Sequence, residues 1–349
     1  MQLRLFWVLM IALLIPAQDA GAQQIKLKAN LQFPIGNPTF GAGLARLKQE
    51  VERLTENAVV IEIFDKSQLF TSSQMVDAVA SGAIDLGMAS SQQFTYKVPV
   101  VGILDQPFVF NFQALIDAVA KPGSGTRTLV DEAILAEIGV RVLWWQTLGN
   151  NVLFSKGHDV ADPAQLKGRR VAAAGKLPGE FVAWCGGVPV ALTIEKFADG
   201  FKNGALDMVV IPFVGLRNLK LWRFTDTVTF TSHAASQFFL IVNERRWQSL
   251  SRAHRDVIAE VARKVEGGFN ALRAKTDATI RALADSKNVK LKELTADQVA
   301  DWRACSAGML VDYMDKNGEG ARKLMDAYRK LRTDPCCSAI PGENTFTRR

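Results

Sequence analysis

Ser81-Gly82-Ala83-Ile84-Asp85-Leu86-Gly87-Met88 closes the stretch of sequence that decides the fold. Residues 83–88 read as a buried strand running into Ala89-Ser90-Ser91. Just before it, residues 73–81 carry Met75, Val76 and Val79 at the spacing of a short helix. Further back, 59–64 alternates as a strand, and 40–56 sets Leu44, Leu47, Val51 and Leu54 on one helical face. Residues 25–31 open the series as a strand, followed by a loop of Pro34, Gly36, Asn37 and Pro38. The order β-α-β-α-β points to parallel strands with helices on the sheet faces, an α/β fold.

Downstream, a loop region spans 99–112, a helix 113–121, and a turn Pro122-Gly123-Ser124-Gly125 leads into a helix over 126–138. Strands are expected at 140–145, 152–155, 170–173, 188–191, 206–211, 226–230 and 238–243, with short helices at 163–167, 178–186 and 194–203. From 247 the chain is helical, over 247–250, 252–286, 295–316 and 318–331. Gly267 and Gly268 interrupt the longest of these stretches, each at about 1 kcal/mol relative to alanine, and mark a kink or close packing. No internal repeat of fixed period is present.

The first residues read as an export signal. Arg4 precedes an apolar run over 5–15, Pro16 breaks it, and Ala20-Gly21-Ala22 supplies the small residues of a cleavage site. The run is half of the roughly 20 residues a spanning helix needs. We therefore expect a cleaved signal peptide (1–22), a mature start at Gln23, and a periplasmic location. A chain of 349 residues suggests two domains around two cores, and a hydrophobic fraction of 48% suits a packed globule. The net charge is +7, but signs alternate along helices, as in Arg46, Lys48, Glu50, Glu52 and Arg53, so no nucleic-acid partner is expected. Export permits disulfides among Cys185, Cys305, Cys336 and Cys337. Adjacent cysteines rarely pair, so Cys305 is expected to join Cys336 or Cys337.

Catalytic patterns are missing. His158, His233 and His254 have no metal-type spacing, there is no G-x-S-x-G elbow, and Gly175-Lys176 lacks the glycines of a phosphate loop. The sequence asks for no enzyme activity, no cofactor and no metal.

Four stretches resemble a known family. They are Leu47 to Thr55 with the strand after it; Gln68-Leu69-Phe70 through Met88; Gln106-Pro107-Phe108-Val109-Phe110; and Leu166-Lys167-Gly168-Arg169-Arg170-Val171 with the later Gly204-Ala205-Leu206-Asp207. Asn243-Glu244-Arg245-Arg246-Trp247 and the helical end fit too. In order and spacing the chain resembles the DctP-like solute receptors of TRAP transporters over nearly its whole mature length. The resemblance implies a two-lobed periplasmic binding protein fold with crossing hinge strands, a long linking helix and a helical C-terminus. It implies a first lobe of 23–147 with 237–270, a second of 148–236 with 271–332, and a flexible tail over 333–349. A small organic ligand would sit in the cleft, and closure would present it to TRAP-type membrane permease subunits. Two other functions remain open, a ligand-sensing module for a membrane kinase and a periplasmic enzyme on the same scaffold.

The sequence departs from the family where the family holds a carboxylate. The arginine expected on the strand after Leu166-Lys167-Gly168 aligns with Ala172, a second falls near Asn150, Asn151 and Val152, and a polar asparagine aligns with Ile211. Either the ligand is neutral or more apolar, walled by Trp144, Trp145, Phe213 and Phe33; or Lys176 or Arg217 catches an anion; or binding is lost. Ligands in open α/β sheets bind beyond the carboxyl ends of strands. On that rule the candidate site residues are Phe33, Asn37, Ser90, Ser91, Gln93, Trp145, Gln146, Asn150, Asn151, Ala172, Lys176, Ile211, Phe213, Arg217, His233 and Gln237.

Overall fold

The computed structural model describes residues 24–338; the expected signal peptide, Gln23 and the tail beyond 338 lie outside the described residues. The strands are β1 (Ile25–Asn30), β2 (Val59–Phe64), β3 (Leu86–Ser90), β4 (Val140–Ser155), β5 (Arg170–Ala173), β6 (Val188–Val190), β7 (Met208–Pro212), β8 (Thr227–Phe230), β9 (Ala235–Asn243) and β10 (Lys290–Glu293). The first lobe's sheet runs β2-β1-β3-β9-β4, with β1 parallel to β2 and β3. That is the pairing the opening β-α-β-α-β order calls for. Helix Gly41–Leu54 buries Leu44, Leu47 and Val51 against this sheet, each worth about 1.5–3 kcal/mol of transfer free energy. The second lobe's sheet runs β6-β5-β7-β4, with β8 on the other side of β4 and β10 on the edge of β8.

The lobes share one strand. The expected strands 140–145 and 152–155 are two halves of β4, whose first half pairs with β9 and whose second half pairs with β7 and β8. The register shifts between Thr147 and Asn150, where Gly149 sits at φ +84, a conformation that strains any side-chain-bearing residue. This irregularity turns the strand from one sheet into the other. β10 has no counterpart among the expected strands, because Lys-Leu-Lys-Glu carries one apolar residue and too weak an alternation to be read.

The helical end ties the lobes together. The expected stretch 252–286 divides at Gly267–Gly268 into Arg252–Glu266 and Phe269–Ser286. Ser251 caps the former by accepting from His254 N, and Thr295 caps the last helix by accepting from Gln298 N. That helix, Ala296–Arg332, bends at Gly318. Before the bend it buries Trp302 and Met309 in the second lobe. Tyr313, Ala321, Leu324 and Met325 go into the first. Among the described residues, three apolar clusters stand in place of the two expected cores, one behind each lobe and a larger one running across both. Among the described residues, no helix is long and apolar enough to cross a membrane.

The disulfides correct the expected pairing. Cys185 bonds to Cys305 across 120 residues, and Cys336 to its neighbour Cys337. The reason is where the last helix packs. Its first turns lie on helix Lys176–Trp184 and bring the Cα atoms of Cys185 and Cys305 to 5.0 Å. At about 1.5 Å of rise per residue, its far end delivers Cys337 to the other lobe, buried beside Ala114.

Candidate functional site

The cleft lies where strand ends from both lobes face each other. At the end of β1 the chain turns through Asn37, whose Oδ1 accepts from the N–H groups of Thr39 and Phe40 at 2.9 and 3.1 Å. The turn sets Phe40 flat on Phe33, centroids 4.2 Å apart, with Phe238 of β9 at 4.8 Å from Phe40. After β3, Ser90 and Gln93 form a capping box, and Gln92 points its carboxamide at Asp105, Nε2 to Oδ1 3.0 Å. The second lobe contributes Ala174 after β5, Ile194 after β6, Val210, Ile211 and Pro212 at the end of β7, and Val214, Gly215, Asn218 and Leu219 just beyond it.

Together these surfaces border an inner chamber that stays open on one side. Phe33, Phe40, Gln92 and Phe238 line it from the first lobe; Ala174, Ile194, Val210, Ile211, Pro212, Val214, Gly215, Asn218 and Leu219 from the second; Leu148, Asn151 and Ser236 from the crossing strands. Among the described residues, none that lines it is ionisable. An outer chamber shares Phe33, Ile194, Asn218, Leu219 and Phe238 with it and adds Gln32, Pro34, Ser72, Gln93 and Glu195. A third hollow lies beyond Leu148 and Val214, lined also by Gln146, Thr147, Arg273 and Asp277. There Arg273 is already paired with Asp117 at 2.9 Å.

The polar groups of the inner chamber are oriented from behind. The Ser236 hydroxyl donates to Asn151 Oδ1 at 2.8 Å, which leaves Asn151 Nδ2 as a donor. The bond from Gln92 Nε2 to Asp105 leaves Gln92 Oε1 as an acceptor. Burial pushes the Asp105 carboxyl up to about 7. The arrangement can hold an apolar body and satisfy a few neutral polar atoms. Among the described residues, no cluster of three or more His, Cys, Asp or Glu could hold a metal ion.

The structure brings some of the expected site residues together and scatters the rest. Phe33, Asn151 and Ile211 line the inner chamber, Gln93 the outer one and Gln146 the third hollow. Asn37, Ser90 and Ser91 shape the turns beneath; Ser90 and Ser91 are buried. Trp145 lies in the cluster behind the first lobe, and Trp144, its neighbour on β4, on the opposite face against Phe269 at 5.6 Å. Neither tryptophan walls a chamber. Asn150 donates to Asn111 O at 2.9 Å. Ala172 is fully buried in the cluster shared by both lobes, two residues short of the chamber at Ala174. Lys176 is exposed, 3.7 Å from Glu180. Phe213 packs edge-on against Phe230. Arg217 reaches across the cleft to Thr39 Oγ1 at 2.9 Å, and burial lowers its pKa. His233 is stacked on Phe181 at 3.9 Å, and burial drives its pKa down to about 3, so it is neutral. Gln237 accepts from Thr147 at 2.7 Å.

Sequence reasoning missed Phe40, Gln92, Leu148, Ile194, Val214, Asn218, Leu219, Ser236 and Phe238. Gln92 sits in the same turn as Ser91 and Gln93, and only the pitch of that 3-10 turn selects it. Phe238, on a strand buried at every position, carried no mark distinguishing cleft from core.

Comparison with known proteins agrees with this architecture. The profile of the family described as "Bacterial extracellular solute-binding protein, family 7" (DctP) matches residues 34–317. Over 266 residues the chain is 22% identical to the C4-dicarboxylate-binding periplasmic protein DctP of Rhodobacter capsulatus, covering 75% of this chain and 78% of that one. It superposes with TM-score 0.80 on DctP7 of Bordetella pertussis, an extracytoplasmic solute receptor binding pyroglutamic acid, at 21% identity over 87% of this chain and 99% of that one. A TRAP periplasmic solute-binding protein of Desulfovibrio salexigens with bound orotic acid matches with TM-score 0.81, at 20% identity over 88% and 98% of the two chains.

Proposed function

Since the chain belongs to the DctP family of bacterial extracellular solute-binding proteins, family 7, we propose that it captures a neutral or largely apolar organic solute and delivers it to a TRAP-type permease. The relatives named above bind dicarboxylates, pyroglutamic acid and orotic acid, all of them acids. The observation that carries a neutral solute is the inner chamber's lining, drawn from both lobes and, among the described residues, free of lysine and arginine. A carboxylate there would lose its water and gain only carboxamide donors, whereas buried charge needs a paired partner.

On this reading the chain is exported by cleavage after residue 22, and the lobe of 148–236 closes on the lobe of 23–147 with 237–270, while helix Ala296–Arg332 packs on both. Closure needs no fuel. The solute has only to contact the closed state better than the open one. Aromatic faces at Phe33, Phe40 and Phe238 would take a ring or branched chain, with Asn151 and Asn218 donating to a carbonyl.

A thermal-shift screen of the purified chain against matched neutral and carboxylate solutes tests the proposal. A neutral solute at a hundredfold excess over its Kd should add about 2.7 kcal/mol of stability. A consistent preference for simple monocarboxylates would overturn the neutral-solute reading.

A further inference from the structure

Resting on the receptor reading above, we infer that the mouth of the cleft selects a solute bearing a hydrogen-bond donor, a hydroxyl or a protonated amine, held between Gln32 of the first lobe and Glu195 of the second. Both residues line the outer chamber. Gln32 is 8% exposed. Its Nε2 donates to Met88 O, which fixes the orientation of the carboxamide, and its Oε1 is buried with no partner. A buried acceptor left unpaired in the native fold calls for an explanation, and a donor brought by a solute supplies one.

Glu195 is the only ionisable residue among the described residues that line either the inner or the outer chamber. Its Oε2 receives a long bond from Ser72 Oγ at 3.4 Å, across the gap between lobes. Its other oxygen remains an acceptor. Two acceptors, one of them charged and one on each lobe, make the mouth attractive to N–H and O–H groups and repulsive to carboxylates. The mouth shares Phe33, Ile194, Leu219 and Phe238 with the apolar chamber, so one solute can place its body inside and its donor outside. A donor bridging Gln32 and Glu195 would also favour the closed state, because it contacts one residue of each lobe at once.

Three probes matched in ring and length test this: 2-phenylethylamine, 2-phenylethanol and phenylacetate, titrated calorimetrically into the purified chain at neutral pH. The amine and the alcohol should bind, and phenylacetate at least about tenfold more weakly. Glu195→Gln should cost the amine about tenfold and the alcohol much less, and Gln32→Leu should weaken both. If Glu195→Gln lowers all three affinities alike, Glu195 serves only as a latch to Ser72 and the inference fails while the receptor reading stands. If neither donor probe binds to a chain that does bind other neutral solutes, the inference also fails alone. Phenylacetate binding as tightly as the amine overturns both.

Discussion

The back of the first lobe's sheet and the cleft in front of it treat charge in opposite ways. At the back, Arg127 is 9% exposed and lies 2.5 Å from Glu266, itself 10% exposed, with Asp131 3.4 Å away. Trp145 closes the group: its ring lies under the guanidinium at 5.5 Å, its indole N–H donates to Asp131, and its backbone N–H donates to Glu266. Burial pushes the Asp131 carboxyl up to about 6, against the pull of that indole and of Arg127. The inner chamber holds only carboxamides and a hydroxyl as polar groups. Arg127 and Arg273, 9% and 10% exposed, have carboxylate partners from their own chain and hold helix to helix. Neither lines the inner chamber to meet a solute's anion.

The contrast breaks most easily at Glu266. Glu266→Ala leaves Arg127 with the more distant Asp131 and strands the Trp145 N–H, and should cost about 3–5 kcal/mol. A shift in the urea midpoint at unchanged slope measures it, and a cost below about 1 kcal/mol would show that the buried cluster is no firmer than a surface pair.

Asp105 sharpens the comparison from the cleft side, because it is the carboxylate nearest to the chamber's own carboxamides. Its folded pKa of about 7 stands above the ordinary 3.8, so its stabilisation is full below pH 3.8 and is lost as pH rises through 7. Asp105→Asn keeps an acceptor for Gln92 and should flatten that fall, leaving the variant about 2 kcal/mol more stable than the parent in alkaline buffer. His233 acts with the opposite sign. Held down near 3 from 6.5, it adds stability above pH 6.5 that is lost as pH falls through 3, and because parent and variant share it, it cancels from the Asp105 difference.

Two smaller effects concern the solute alone. Ile211→Asn restores the polar residue that the family resemblance leads one to expect and should weaken a neutral apolar probe by about tenfold in a calorimetric titration. Lys176→Ala should change the affinity by less than about twofold, because this exposed side chain pairs with Glu180 and lines neither chamber. A larger loss would revive the idea that it catches an anion.

How much could be read in advance differs between fold and site for a physical reason. The helix over Leu44, Leu47 and Val51 and the strands that flank it are set by periodicities of a few residues, and the structure keeps them. The glycine break at 267–268 was visible for the same reason. That Phe33 and Ile211 border the inner chamber could be anticipated because strand ends were placed. The positions of Trp145 and Ala172 could not, since neighbouring strand positions face opposite ways, and which face meets the other lobe is not written in a strand's own alternation.

By itself, the sequence determined most of the element order and the membership of a two-lobed receptor family. The tertiary structure alone decided that Cys185 meets Cys305, that Arg127 is bound to Glu266 rather than left for a solute, and that Phe40, Gln92 and Phe238 share one chamber. Each of those depends on distances between segments far apart in the chain. Such distances are set by how two sheets turn about one shared strand at Gly149, and no local pattern of residues encodes that angle.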